Sequence, residues 1–149
     1  MNRKSFTDSI RALVAIAWPD VVDNGIFMMA EVLTIPLEAL SQTDRIPFAL
    51  IDDQMAPVTN WGMTNQCASG PVTLYRVVKN TEDWETDILA DLLTMQTTVL
   101  GNTFDYGCMV GHPEVSIDHR VMPNDYFLRV NAPLRAGAVT FQCLAGEAK

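Results

Sequence analysis

The chain reads as an α+β domain: a two-layer fold in which two main α-helices pack on an antiparallel or mixed β-sheet, in the order α-β-β-β-α-β-β-β. Two observations predict it. Apolar residues recur at the 3.6-residue helical period in two separate stretches, and elsewhere they fall in short runs, several alternating at period two. Short turn sequences separate the later runs, which implies antiparallel pairing. Two helices suffice to cover one face of such a sheet.

The first helix is signalled by Phe6, Ile10, Leu13, Val14 and Ala17, which share one face. Ser5 or Thr7 is placed to cap it, with Asp8 in the first turn. Trp18-Pro19 ends it, because the residue before proline is driven out of the helical region. Ile26 to Ile35 is apolar apart from Glu31 and Thr34 and reads as a strand, followed by a connection over 36–45 with a helical turn at Leu37–Leu40. Pro47-Phe-Ala-Leu-Ile51 reads as a buried strand stopped by Asp52-Asp53. The stretch 54–70 holds Pro57, Asn60, Gly62, Asn65, Ser69 and Gly70, so it is expected to be a long loop. Met55, Trp61 and Met63 are large apolar residues in that loop and are the candidate partner-binding residues.

Val72 to Val78 is β-branched and aromatic, with Val72, Leu74 and Arg76 facing one way and Thr73, Tyr75 and Val77 the other. The second helix is expected to be capped by Asn80 or Thr81, with Glu82, Asp83 and Glu85 at its positive end. Trp84, Ile88, Leu92, Met95 and Val99 form its apolar stripe, which Leu89, Leu93 and Leu100 widen; Gly101-Asn102 stops it. A stripe this wide implies burial on two sides, against the sheet and against a second helix or subunit. Phe104–Val110 and Val115–Asp118 then read as strands. A turn at Met122–Asp125 leads to an alternating run from Tyr126 to Val130. Ala132-Pro133 and Arg135-Ala-Gly137 read as a further turn, before a last strand carried by Val139, Phe141 and Cys143 and a tail from Gly146.

The chain of 149 residues is read as a single domain, 1–149. Its net charge of -8 and the lack of any basic run argue against gripping nucleic acid or docking on an anionic membrane. The N-terminus lacks the continuous apolar core of a signal peptide, and no apolar run is long enough to span a membrane. Cys67, Cys108 and Cys143 are odd in number and widely spaced, which points to free thiols rather than a disulfide framework or zinc site.

Nucleotide-binding, hydrolase-elbow and zinc-protease motifs are all missing. His112, His119 and Cys108 are spaced for neither a helical nor a knuckle metal site. Asp52-Asp53 reads as a solvated strand end, and Asp87 with Asp91 as a wet helix face. No catalytic, cofactor-binding or metal-binding residue is therefore assigned.

The runs Pro47-Phe-Ala-Leu-Ile51, Val72-Thr-Leu-Tyr-Arg-Val-Val78 with Asn80 to Leu100 after it, and Tyr126 to Cys143 resemble, in order and texture, the tail terminator (tail-completion) proteins of tailed bacteriophages. That resemblance implies a virion protein of the phage neck with no enzymatic activity and no cofactor. Such a protein forms a homo-oligomeric ring, typically a hexamer, on the last ring of tail tube protein. It stops tail polymerisation and offers a face to the head-tail connector or stopper, while DNA passes through the lumen without specific binding. Another neck component, such as a head-closure or tail-tube subunit, shares these features, and a small ligand-binding or enzymatic α+β domain is the alternative of a different class.

Overall fold

The computed structural model describes residues 2–28, 47–58, 66–79, 81–101, 107–117 and 134–147. Helix α1 spans Asn2–Ala17 and buries Phe6, Ile10, Leu13 and Val14, the expected face. It starts ahead of Ser5 and Thr7, so neither is its cap. Proline ends it as expected: Trp18 leaves the helix at φ -126°, ψ 72°, and Pro19–Val21 forms a 3-10 turn.

The described strands are β1 (Ile26–Met28), β2 (Phe48–Asp53), β3 (Ala56–Val58), β4 (Gln66–Lys79), β5 (Gly107–Ser116) and β6 (Leu134–Glu147), with helix α2 (Trp84–Leu100) between β4 and β5. They form one mixed sheet in the order β1-β2-β4-β6-β5, with β3 also paired to β4. The α+β class follows directly, with both helices packed on one sheet face. Strands β4 and β6 are its spine, antiparallel in unbroken register from Gln66↔Glu147 to Lys79↔Leu134. β1 and β2 are parallel, and every other pair is antiparallel. A parallel pair needs a long connection, which the stretch between Met28 and Phe48 provides.

Several boundaries differ from the sequence reading, each for a local reason. The segment 54–70 is not a loop throughout. β3 pairs Ala56–Val58 with Cys67–Ser69, and β4 runs on through Gly70 and Pro71. The two breakers sit where the neighbouring ladder is interrupted. The Gln54 N–H donates to the Pro71 carbonyl at 3.1 Å. Gly70 lies at φ +150°, and a Cβ there would come within 2.8 Å of the Gln54 carbonyl oxygen. Arg135-Ala-Gly137 is likewise strand: at Gly137 the α2 side chains press onto the sheet, and a Cβ would lie 2.6 Å from Leu92 Cδ1. Gly146 belongs to β6 as well. Gly111-His112-Pro113 is a bulge within β5, where the register shifts between Val110 and Glu114. Asp52 and Asp53 close β2. The segments expected at 29–46, 102–106 and 118–133 lie outside the described residues.

α2 begins at Trp84, with Asp83 rather than Asn80 or Thr81 at the N-cap and no side-chain cap hydrogen bond. Gly101 closes it, its N–H donating to the Thr97 carbonyl. Ile88, Leu92, Met95 and Val99 are buried against α1 and a sheet face made of Ala49, Ile51, Val72, Leu74, Val139, Phe141 and Cys143. The opposite sheet face is buried too, through Phe48, Leu50, Tyr75, Val77, Ala136 and Ala138. Runs such as Phe48–Ile51 are therefore continuously apolar instead of alternating.

Candidate functional site

One charged residue stands among the buried apolar ones. Arg76 in β4 is 5% exposed, between Ala49 of β2 and Gly137 of β6 in register. Strand parity places it on the helix side with Val72 and Leu74. A buried guanidinium needs compensating charge, and two elements supply it. Asp20, presented by the 3-10 turn, accepts hydrogen bonds from Arg76 Nη1 at 2.9 Å and Nη2 at 2.6 Å, a bidentate pair. Asp91 Oδ2 of α2 lies 3.0 Å from Nε. That contact is an ion pair without hydrogen-bond direction, since Nε itself has no hydrogen-bond partner.

Trp18 completes the cluster. Its Nε1–H donates to the Asp91 carbonyl at 2.8 Å, and the Arg76 guanidinium stands 5.6 Å from its ring centroid. The Pro19 break makes this possible by turning the chain so that Trp18 faces α2 while Asp20 faces β4. The two carboxyls respond in opposite directions. Hydrogen bonds from Arg76 hold Asp20 below its ordinary value of 3.8, against the opposing effect of burial. Burial pushes Asp91 above 3.8; the Arg76 charge opposes this, and repulsion from Asp20 and Asp87 adds to it.

Above the cluster opens a cleft of about 320 Å³. Its polar lining is Asp20, Arg76, Thr81, Asp87 and Asp91, and its apolar wall is Pro47, Val78, Trp84 and Ile88. Arg135 of β6 holds its guanidinium 5.9 Å from the centroid of the half-buried Trp84 ring. Three carboxylates against one lining guanidinium leave the cleft negative. Among the described residues no group of three or more His, Cys, Asp or Glu is arranged to hold a metal ion. The arrangement can attract and seat a cation. It presents no nucleophile paired with a base.

The sequence-predicted residues lie elsewhere. Met55 is half-buried and packs against the core, its N–H donating to Asp53 Oδ1 at 3.0 Å. Trp61 and Met63 lie outside the described residues, as do His119 and the Cys108 side chain. His112 is exposed in the β5 bulge. Asp52 accepts a hydrogen bond from Gln54 Nε2 at 3.0 Å, as fits a half-exposed strand end. Asp87 is exposed as expected, but Asp91 is not a wet-face residue because it pairs with Arg76. The one sequence signal for this site was the arginine at an inward strand position.

No protein-family model matches the chain, and no curated protein is significantly similar to it in sequence. Among the described residues no helix is long and apolar enough to cross a membrane.

Proposed function

We propose that this chain is a structural subunit that works as a closed ring of copies, and that its role is that of a phage tail terminator. In that role the ring caps the tail tube, ends its polymerisation and forms the tail side of the head-tail joint. The observation that carries the reading is the outer flank of α2. Leu89, Leu93 and Leu100 are 38%, 46% and 47% exposed, and their spacing puts them on one side of the helix. That side faces β5, where Gln96 Nε2 donates to the Pro113 carbonyl at 2.8 Å. β5 and β1 stand at opposite ends of the strand order. Two unlike rims on one subunit are what a head-to-tail ring requires. A net charge of -8 suits a lumen that DNA passes without adhering.

Sedimentation velocity over a wide concentration range, with electron microscopy of the heaviest species, tests the reading. A ring of about six copies with a central hole is the expected result. A monomer at every concentration, also when mixed with tail tubes, overturns it. The role of the 54–70 segment is read separately: Trp61→Ala with Met63→Ala is expected to reduce the joining of tails to heads, and wild-type joining would remove those residues from the interface. A second reading, a small ligand-binding domain, is favoured by the cleft beside Arg76, which has the mixed apolar and polar lining of a binding pocket.

A further inference from the structure

We propose that the cleft at the start of α2 is a docking groove for a basic side chain, lysine or arginine, of a partner protein. The inference goes beyond the ring reading and stands whether or not copies close into a ring.

Charge complementarity carries it. The only guanidinium lining the groove among the described residues is Arg76, and it is already engaged by Asp20 on two nitrogens and by Asp91 on the third. Asp87 adds a further carboxylate on the same rim and pairs with no cation among the described residues. The carboxylates outnumber the charge that holds them, and Asp91 is displaced toward its protonated form by burial and by these neighbours. An incoming cation relieves that repulsion.

The shape of the groove selects the kind of cation. Its residues are not arranged to share a metal ion. About 320 Å³ lies near the lower limit of ligand-sized pockets, roughly 300–1,000 Å³, so it suits one side chain better than a large ligand. The wall of Trp84 and Ile88 matches the methylene stem of a lysine or arginine, whose head then reaches the carboxylate rim. The same wall already draws a basic group, since Arg135 of the chain itself stands over the Trp84 ring.

The test uses the full chain labelled with 5-fluorotryptophan and read by fluorine NMR, with the Trp84 resonance assigned through Trp84→Phe. The probe is the capped tripeptide Gly-Lys-Gly, with Gly-Leu-Gly and methylammonium as controls. The lysine peptide is expected to shift the Trp84 resonance saturably, and the shift weakens with added salt. Asp87→Asn weakens binding about three- to fivefold, and Asp87→Lys abolishes it. Asp87 is exposed, so both variants keep the fold. The proposal is overturned by no saturable shift, by an equal response to the leucine peptide, by unchanged binding in Asp87→Lys, or by methylammonium binding as tightly as the peptide.

Discussion

Arg76 shows how a single residue ties distant parts of the chain together. Its partners stand 56 positions before it, in the 3-10 turn, and on α2 after it. Because the two carboxyls are displaced in opposite directions, their substitutions have unlike consequences. Asp20→Asn leaves the buried guanidinium without its bidentate partner. It is expected to cost roughly 1–3 kcal/mol by urea unfolding at neutral pH, less than a fully buried pair because the Asp20 side chain is half exposed. Asp91→Asn removes a carboxylate whose ionisation the fold disfavours, and its stability is expected within about 0.5 kcal/mol of wild type. The pH dependence separates them further. A lowered Asp20 contributes stability that is present above 3.8 and lost as pH falls through its folded value. A raised Asp91 contributes stability that is complete below 3.8 and lost as pH rises through its folded value. Wild-type stability should therefore gain a component as pH falls from neutral toward 3.8, and Asp91→Asn should lack it. Equal profiles for wild type and Asp91→Asn would remove the raised carboxyl from the account. The sequence made Arg76 legible through strand parity, but it carried no sign of Asp20, because pairing across 56 residues is decided by the fold.

At the scale of elements, legibility followed periodicity. Both helices and the buried positions of β2, β4 and β6 could be read because apolar spacing records which face is covered. The errors fell on Gly70, Pro71 and Gly137, where residues that break isolated strands are required by a neighbour's approach. β3 was hidden for the same reason: three residues beside a proline have no period to read. Gly137 gives the clearest test. A Cβ there would lie 2.6 Å from Leu92 Cδ1 and 3.2 Å from Ile88 Cδ1, so Gly137→Ala forces α2 away from the sheet. Overpacking of this kind costs about 1–3 kcal/mol. Leu92→Ala alone costs about 2–5 kcal/mol through the cavity it leaves. The double variant should cost less than the sum, because the new methyl occupies space that Leu92 vacates. Strict additivity in thermal unfolding would mean that the contact at Gly137 does not limit the helix-sheet distance.

For the whole molecule the question is how subunits that each carry a net charge of -8 would associate. The candidate contact is the exposed row Leu89, Leu93 and Leu100, which is apolar, while the surrounding surface is acidic. Long-range repulsion between copies is screened by salt, with a Debye length of about 10 Å at 0.1 M and about 3 Å at 1 M. Apolar contact is not screened, and excluded salts strengthen it. If the leucine row is the contact, raising sodium chloride from about 0.05 to 0.5 M should shift the sedimenting species toward the oligomer. Leu89→Glu with Leu93→Glu should hold the chain monomeric at all salt concentrations. Both positions are on the outer flank of α2 and outside its buried stripe, so thermal unfolding of the monomer should change by no more than about 0.5 kcal/mol. Dissociation on adding salt would instead place ion pairs at the contact and direct attention to the acidic groove beside Arg76. An oligomer that survives the double substitution would exclude the leucine row and, with it, the observation on which the ring reading rests.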